Sequence, residues 1–236
     1  MQGELFAACT RAAGDAWGRY ENHPWFTALE RGELPMESFV QFQANDAPFI
    51  PYLHQTLALG LSKAPTGSEW SRAVTTLLSD VFVAKELQTK GEILEALGVK
   101  NVRFDRWALS PRREAYVNHL LRVAFEGTAG EIAASLLPCT MFTKIVGKRF
   151  ENVEIQGPAV YKRWAKIYAD KQMFNMPLAH IALMESVAKN NDAVREQLIC
   201  IFVRSTQHQV AVFDDALEPG PLWPKVAHLD FQLRGR

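Results

Sequence analysis

EIAASLLPCTMFTKIVG, residues 131–147, decides the fold class. Ile132, Leu136, Cys139, Phe142 and Val146 recur at the spacing of one helix face, the pattern of an amphipathic helix. The same rhythm runs through Tyr116, Leu120, Val123 and Ala124 in the segment from Glu114 to Phe125. It returns with Leu198, Phe202, Val210 and Phe213 between Asp192 and Ala216. No alternating stretch is long enough to seed a sheet, so the expected class is all-α.

Outward from this core, the breaks fall at turn residues. Asn22-His23-Pro24 ends the first helix, because the residue before proline is pushed out of the α region. Gly32–Pro35 closes a short second segment, and Met36 opens a longer helix. Lys63–Ser68 is a linker with Ser68 as its N-cap, and Gly98–Ser110 is a loop ending in a helix-starting Ser-Pro. Gly157-Pro158 and Asn190-Asn191 separate the remaining helices. Pro48 and Pro51 follow Asp46, and Pro138 precedes Cys139, so helix-interior kinks are expected beside two reactive side chains. No repeat or composition shift marks a boundary, and residues 1–236 read as one domain whose stretch from about 218 to 236 wraps the surface.

Composition excludes more than it identifies. Lys and Arg total 26 and Asp and Glu total 26, so the chain is formally neutral. Neutrality argues against nucleic acid, which requires a cationic face, and against adhesion to anionic lipid. No uninterrupted apolar run suits a membrane span, and MQGELFAACTRAAGDAW lacks the apolar region of a secretory signal. Cys9, Cys139 and Cys200 are odd in number and widely spaced, as in reduced thiols of a cytoplasmic protein. The six histidines show no helical pair with a carboxylate partner, so neither a metal nor a cofactor is expected. No GxGxxG, Walker or GxSxG motif anchors a nucleotide or hydrolase-elbow reading.

Taken singly, the polar candidates have ordinary explanations. A cysteine on an apolar helix face, such as Cys139, is usually a small buried hydrophobe. Asp46 lies in VQFQANDAPFIPYL, an otherwise uncharged stretch, where a buried carboxylate would need a partner. Tyr116 and Tyr168 read first as core, and Glu86, in DVFVAKELQTKGEILEAL, falls to a solvated face while standing as a further substrate-binding candidate.

Their order along the chain changes this. Trp17, His23-Pro24-Trp25, Leu29, Gly32, Leu34-Pro35, Phe39, Gln43 and Asp46 resemble the start of the TenA/thiaminase II (TENA/THI-4) family. Tyr116 followed by EIAASLLPC, then Pro158, Tyr161, Trp164 and Tyr168, is similar to that family's later blocks. The LLPC element with its upstream tyrosine is the most specific part.

The resemblance implies a heme-oxygenase-like helical bundle around one central pocket, assembled as a homo-oligomer (dimer or tetramer). It implies a hydrolase of thiamin salvage, an aminopyrimidine aminohydrolase or thiaminase II, whose small-molecule partner is a pyrimidine. In that chemistry Cys139 is the nucleophile, Asp46 holds the ring nitrogen and amino group, Tyr116 donates to the ring, and Tyr168 lines the site. The departures are specific. Gln209 stands where the family places a catalytic glutamate, Phe49 replaces a tyrosine, and Thr143 replaces an aromatic one turn past the cysteine. Glutamine keeps the hydrogen bonding but cannot transfer a proton at neutral pH. Two alternatives therefore stand beside salvage: a scaffold redirected to another small heteroaromatic or amine substrate, and a non-catalytic member that binds a small ligand.

Overall fold

The computed structural model describes residues 3–78, 81–98, 109–168 and 175–220, without the side chains of 81–87. They form α1 (Glu4–Ala13), α2 (Asp15–Glu21), α3 (Pro24–Glu30), α4 (Met36–Asp46), α5 (Ile50–Lys63) and α6 (Glu69–Leu78). There follow α7 (Val81–Ala96), α8 (Pro111–Glu126), α9 (Ala129–Phe150), α10 (Ala159–Ile167), α11 (Asn175–Val187) and α12 (Asp192–Leu217). No strand occurs among the described residues, as the periodicity predicts. The end of the expected tail, 221–236, lies outside the described residues.

α9 is the axis, packed by α12, α11, α8, α5 and α10. The rhythm of its sequence predicts one buried face, yet every residue from Ile132 to Pro138 is buried. Such a helix is enclosed on all sides, which is why its polar face is so thin. It is long and apolar enough to cross a membrane by length and composition, but 78% of its apolar window is buried within the bundle. Its start is fixed by a capping box: the Thr128 hydroxyl accepts from Glu131 N–H, and the Glu131 carboxylate accepts from Thr128 N–H.

Two expected features differ. The first helix is two helices, because Gly14 adopts φ +51 and its N–H closes on the Arg11 and Thr10 carbonyls. An isolated glycine does not interrupt apolar spacing, so periodicity runs through such a break. Pro48 and Pro51 are not interior kinks: α4 stops at Asp46, and Pro51 sits in the first turn of α5, where a missing N–H costs nothing. Pro138 does lie inside α9, as expected.

The expected helix starts at Ser68 and at Ser110-Pro111 agree with the turn chemistry, while residues 99–108 of the expected Gly98–Ser110 loop lie outside the described residues. Ser68 Oγ accepts from Ser71 N–H at 3.1 Å, and Ser110 and Asn191 cap α8 and α12. His23 caps α3: its Nδ1 accepts from Trp25 N–H at 3.2 Å, so Nε2 carries the proton toward Asp214 Oδ1 at 3.1 Å. Trp25, Phe42, Phe142 and Phe213 pack their rings into one core cluster, with Phe42 and Phe213 stacked at 5.2 Å.

Candidate functional site

The site begins with a clamp between distant segments. Asn45, in the last turn of α4, donates from Nδ2 to Ser110 Oγ at 2.8 Å and accepts from Ser110 N–H at 2.9 Å. Ser110 Oγ also accepts from Arg113 N–H at 3.2 Å, capping α8. The pairing sets the end of α4 against the first turn of α8, so Asp46 meets Arg113.

Asp46 is 13% exposed and holds one cation on each oxygen. Arg113 donates from Nη2 to Oδ1 at 3.0 Å, and Lys90 donates from Nζ to Oδ2 at 2.5 Å. The cations are themselves buried, Lys90 at 0% and Arg113 at 2% exposure. Burial pushes the Asp46 carboxyl up, but the Lys90 and Arg113 charges overcome it and hold it below its usual value. Asp46 is therefore a carboxylate at neutral pH. Each of its oxygens keeps acceptor capacity beyond the one bond it receives.

Lys90 also brings in Tyr168, whose hydroxyl lies 3.4 Å from Nζ. Tyr168 is held by edge contacts with Phe142 at 5.0 Å and Trp164 at 5.1 Å. Arg113 lies over the Phe49 ring at 4.7 Å, a cation–π contact. Phe49 stacks on Tyr116 at 5.6 Å, so its ring shapes this wall.

Tyr116 is fully buried, and its hydroxyl lies beside both Cys139 and Gln209 without a hydrogen bond of full geometry to either. Burial and the neighbouring Cys139 push this phenol well above its usual pKa, so it stays protonated and can donate. Gln209 is 4% exposed and reaches Tyr116 from α12. Cys139 is partly exposed and not in a disulfide. Thr143 lies one turn beyond it, and its hydroxyl donates to the Thr140 carbonyl at 2.8 Å. Glu86 belongs to α7, but its side chain lies outside the described residues.

Asp46, Tyr116, Cys139 and Gln209 thus share one neighbourhood, with Phe49 and Tyr168 on its walls. Four members escape sequence reasoning. Lys90 and Arg113 are cations, which sequence reading assigns to solvent, although a buried Asp46 required a partner. Tyr20 is fully buried and donates to the Pro138 carbonyl at 2.9 Å, next to Cys139. Gln43 lies one turn before Asp46 on the same face of α4 and is fully buried, with neither amide atom hydrogen bonded. An unpaired buried amide is costly, and a ligand edge would satisfy it. Among the described residues no His, Cys, Asp and Glu cluster has the makings of a metal site.

Comparison with known proteins places the chain in a family and a fold. Residues 11–218 match the family described as TENA/THI-4/PQQC. The chain is 24% identical over 206 residues to an aminopyrimidine aminohydrolase of Bacillus subtilis, covering 85% of this chain and 84% of that protein. It is 22% identical over 212 residues to an aminopyrimidine aminohydrolase of Helicobacter pylori, covering 87% and 95%. Among solved structures, one described as a TenA-like thiaminase of Sulfolobus solfataricus superposes with a TM-score of 0.78 at 21% identity, covering 94% of this chain and 99% of that one. That likeness establishes the shared fold.

Proposed function

Because the chain belongs to the TENA/THI-4/PQQC family, we propose that it is a hydrolase of thiamin salvage of the aminopyrimidine aminohydrolase type, with Cys139 as nucleophile. The observation that supports this reading is Tyr116, a protonated phenol placed beside Cys139 and Gln209. Asp46 and Gln43 receive the ring nitrogen and amino group of the pyrimidine. The Cys139 thiolate adds to the ring, forming a C–S bond, and the exocyclic methylene expels the amine. Water then attacks the methylene carbon, the ring–sulfur bond breaks, and the thiolate returns.

Gln209 orients Tyr116 and water but cannot carry the proton, so the departing amine takes it from solvent or from the Tyr116 hydroxyl. Losing a general acid/base slows turnover by about 10²–10⁴. We read the protein as a cytoplasmic homo-oligomer, as membership of this family suggests.

A second reading rests on the two buried cations at Asp46 and on the neutral Gln209: the scaffold serves another small heteroaromatic or amine substrate. One assay separates them. Aminomethyl-aminopyrimidine should be hydrolysed slowly by the wild type, faster by Gln209→Glu and not by Cys139→Ser. No turnover by either active form, together with no aminopyrimidine binding by calorimetry, would leave the second reading standing.

A further inference from the structure

Away from this site, α8, α9 and α12 enclose an open groove of 540 Å³. Arg122 and His119 border it from α8, and Arg204 borders it from α12. Neither guanidinium makes a hydrogen bond or ion pair to any described residue. His208, four residues after Arg204, stacks on His119 with ring centroids 5.2 Å apart. Two helices therefore bring two arginines to one groove, beside a stacked pair of histidines. His119 is 4% exposed; its Nε2 lies 2.8 Å from Ser205 Oγ, and its buried Nδ1 has no partner.

Two acids, Glu126 and Glu131, share the lining with the two arginines, yet among the described residues neither forms an ion pair with a guanidinium. Glu131 is engaged through both oxygens, by Thr128 N–H and by Gln197 Nε2. Glu126, one turn from Arg122, forms no ion pair with it. Fork-shaped guanidinium donors that no carboxylate occupies match tetrahedral oxyanions. Inorganic phosphate would fill only a corner of this volume, while Val123 and Ile201 offer an apolar wall to a larger body.

We infer that the groove between α8 and α12 is a binding site for a small phosphate monoester, gripped by Arg122 and Arg204. The phosphate sits between the two guanidinium groups, and the organic part lies on Val123 and Ile201. Both histidines resist protonation in the empty groove: burial is the main cause, with Arg122 and Arg204 adding to it. An anion offsets the arginines, so binding takes up protons and tightens as pH falls. Besides the arginines, the titratable groups around this pair are Tyr116 and Glu126 of α8, Glu131 of α9 and Cys200 of α12.

The test follows the His119 and His208 imidazole resonances of the full chain by NMR, and it is independent of any pyrimidine chemistry. Inorganic phosphate and glycerol phosphate are titrated separately at ionic strength held constant with chloride. Saturable shifts of both rings, an upward move of their titration midpoints, and tighter binding of the ester are expected. Removing both forks with R122Q/R204Q should weaken phosphate about tenfold or more, the worth of a charge-assisted hydrogen bond. Equal shifts with chloride alone, or unchanged phosphate affinity in a folded double variant, would overturn the site. Ester no tighter than inorganic phosphate would overturn the monoester assignment. Concentration-dependent association without a phosphate response would assign the groove to a second copy of the chain and overturn it equally.

Discussion

The Tyr20 hydroxyl reaches across 118 residues of chain to the Pro138 carbonyl, the residue before Cys139. Proline at this position leaves α9 without one of its own hydrogen bonds, and Tyr20 pins the weakened turn from outside. Tyr20→Phe deletes the bond with little change in shape. It should cost about 1 kcal/mol, a fall of about 2–4 °C in melting temperature for a chain of this size. It should also alter Cys139 alkylation without altering Cys9, and calorimetry with thiol mapping reads both effects.

The three thiols differ by location. Burial raises the Cys9 thiol to about 12, and Cys200 is exposed at the surface groove. In a Cys200→Ser background, which removes the accessible surface thiol, iodoacetamide should label Cys139 well before Cys9. An aminopyrimidine should slow that labelling. Equal, slow reaction of the two thiols would remove Cys139 as nucleophile.

Asp46, Lys90 and Arg113 form one buried charge group, and removing a single cation leaves the rest uncompensated. Lys90→Met should destabilise the fold by about 3–5 kcal/mol, the usual loss on breaking a buried ion pair. The folded-state pKa of Asp46 lies below its unfolded value near 3.8. Its contribution is therefore present above that value and lost as pH falls through the folded pKa. Urea denaturation of Lys90→Met at neutral pH reads the first effect, and a titration below pH 4 in the wild type reads the second.

Two histidines set a different acid limit. Burial depresses His119 to about 4 and His180 to about 3, and the Trp70 indole N–H donates to His180 Nδ1 at 2.9 Å. The unfolded chain protonates these rings near 6.5, so it binds more protons than the native state below that pH. Stability should be full above about 6.5 and decline toward pH 4. Denaturation midpoints at pH 7 and pH 5 should differ accordingly, and His119→Gln should flatten the slope.

The helices were legible because apolar spacing reports burial directly, and the starts at Ser68 and Ser110 because local chemistry sets them. The Gly14 break was not, since a single positive-φ residue leaves that spacing intact. At the site, Asp46, Tyr116, Cys139 and Gln209 could be picked out by their order along the chain. Their partners could not. Lys90 and Arg113 look like surface cations until the fold buries them, and Tyr20 acquires its role from a proline carbonyl in another helix.

The Asn45–Ser110 clamp joins residues 65 apart, and the Asp46 charge group spans comparable stretches, 44 residues to Lys90 and 67 to Arg113. Contacts that close loops of this length form against chain entropy, whereas each helix closes over a few residues. The helical scaffold should therefore form early in folding and the charged end of the site late. A chain can be fully helical by circular dichroism before it holds Asp46 in place, and a slow phase in ligand binding after refolding would time that last step.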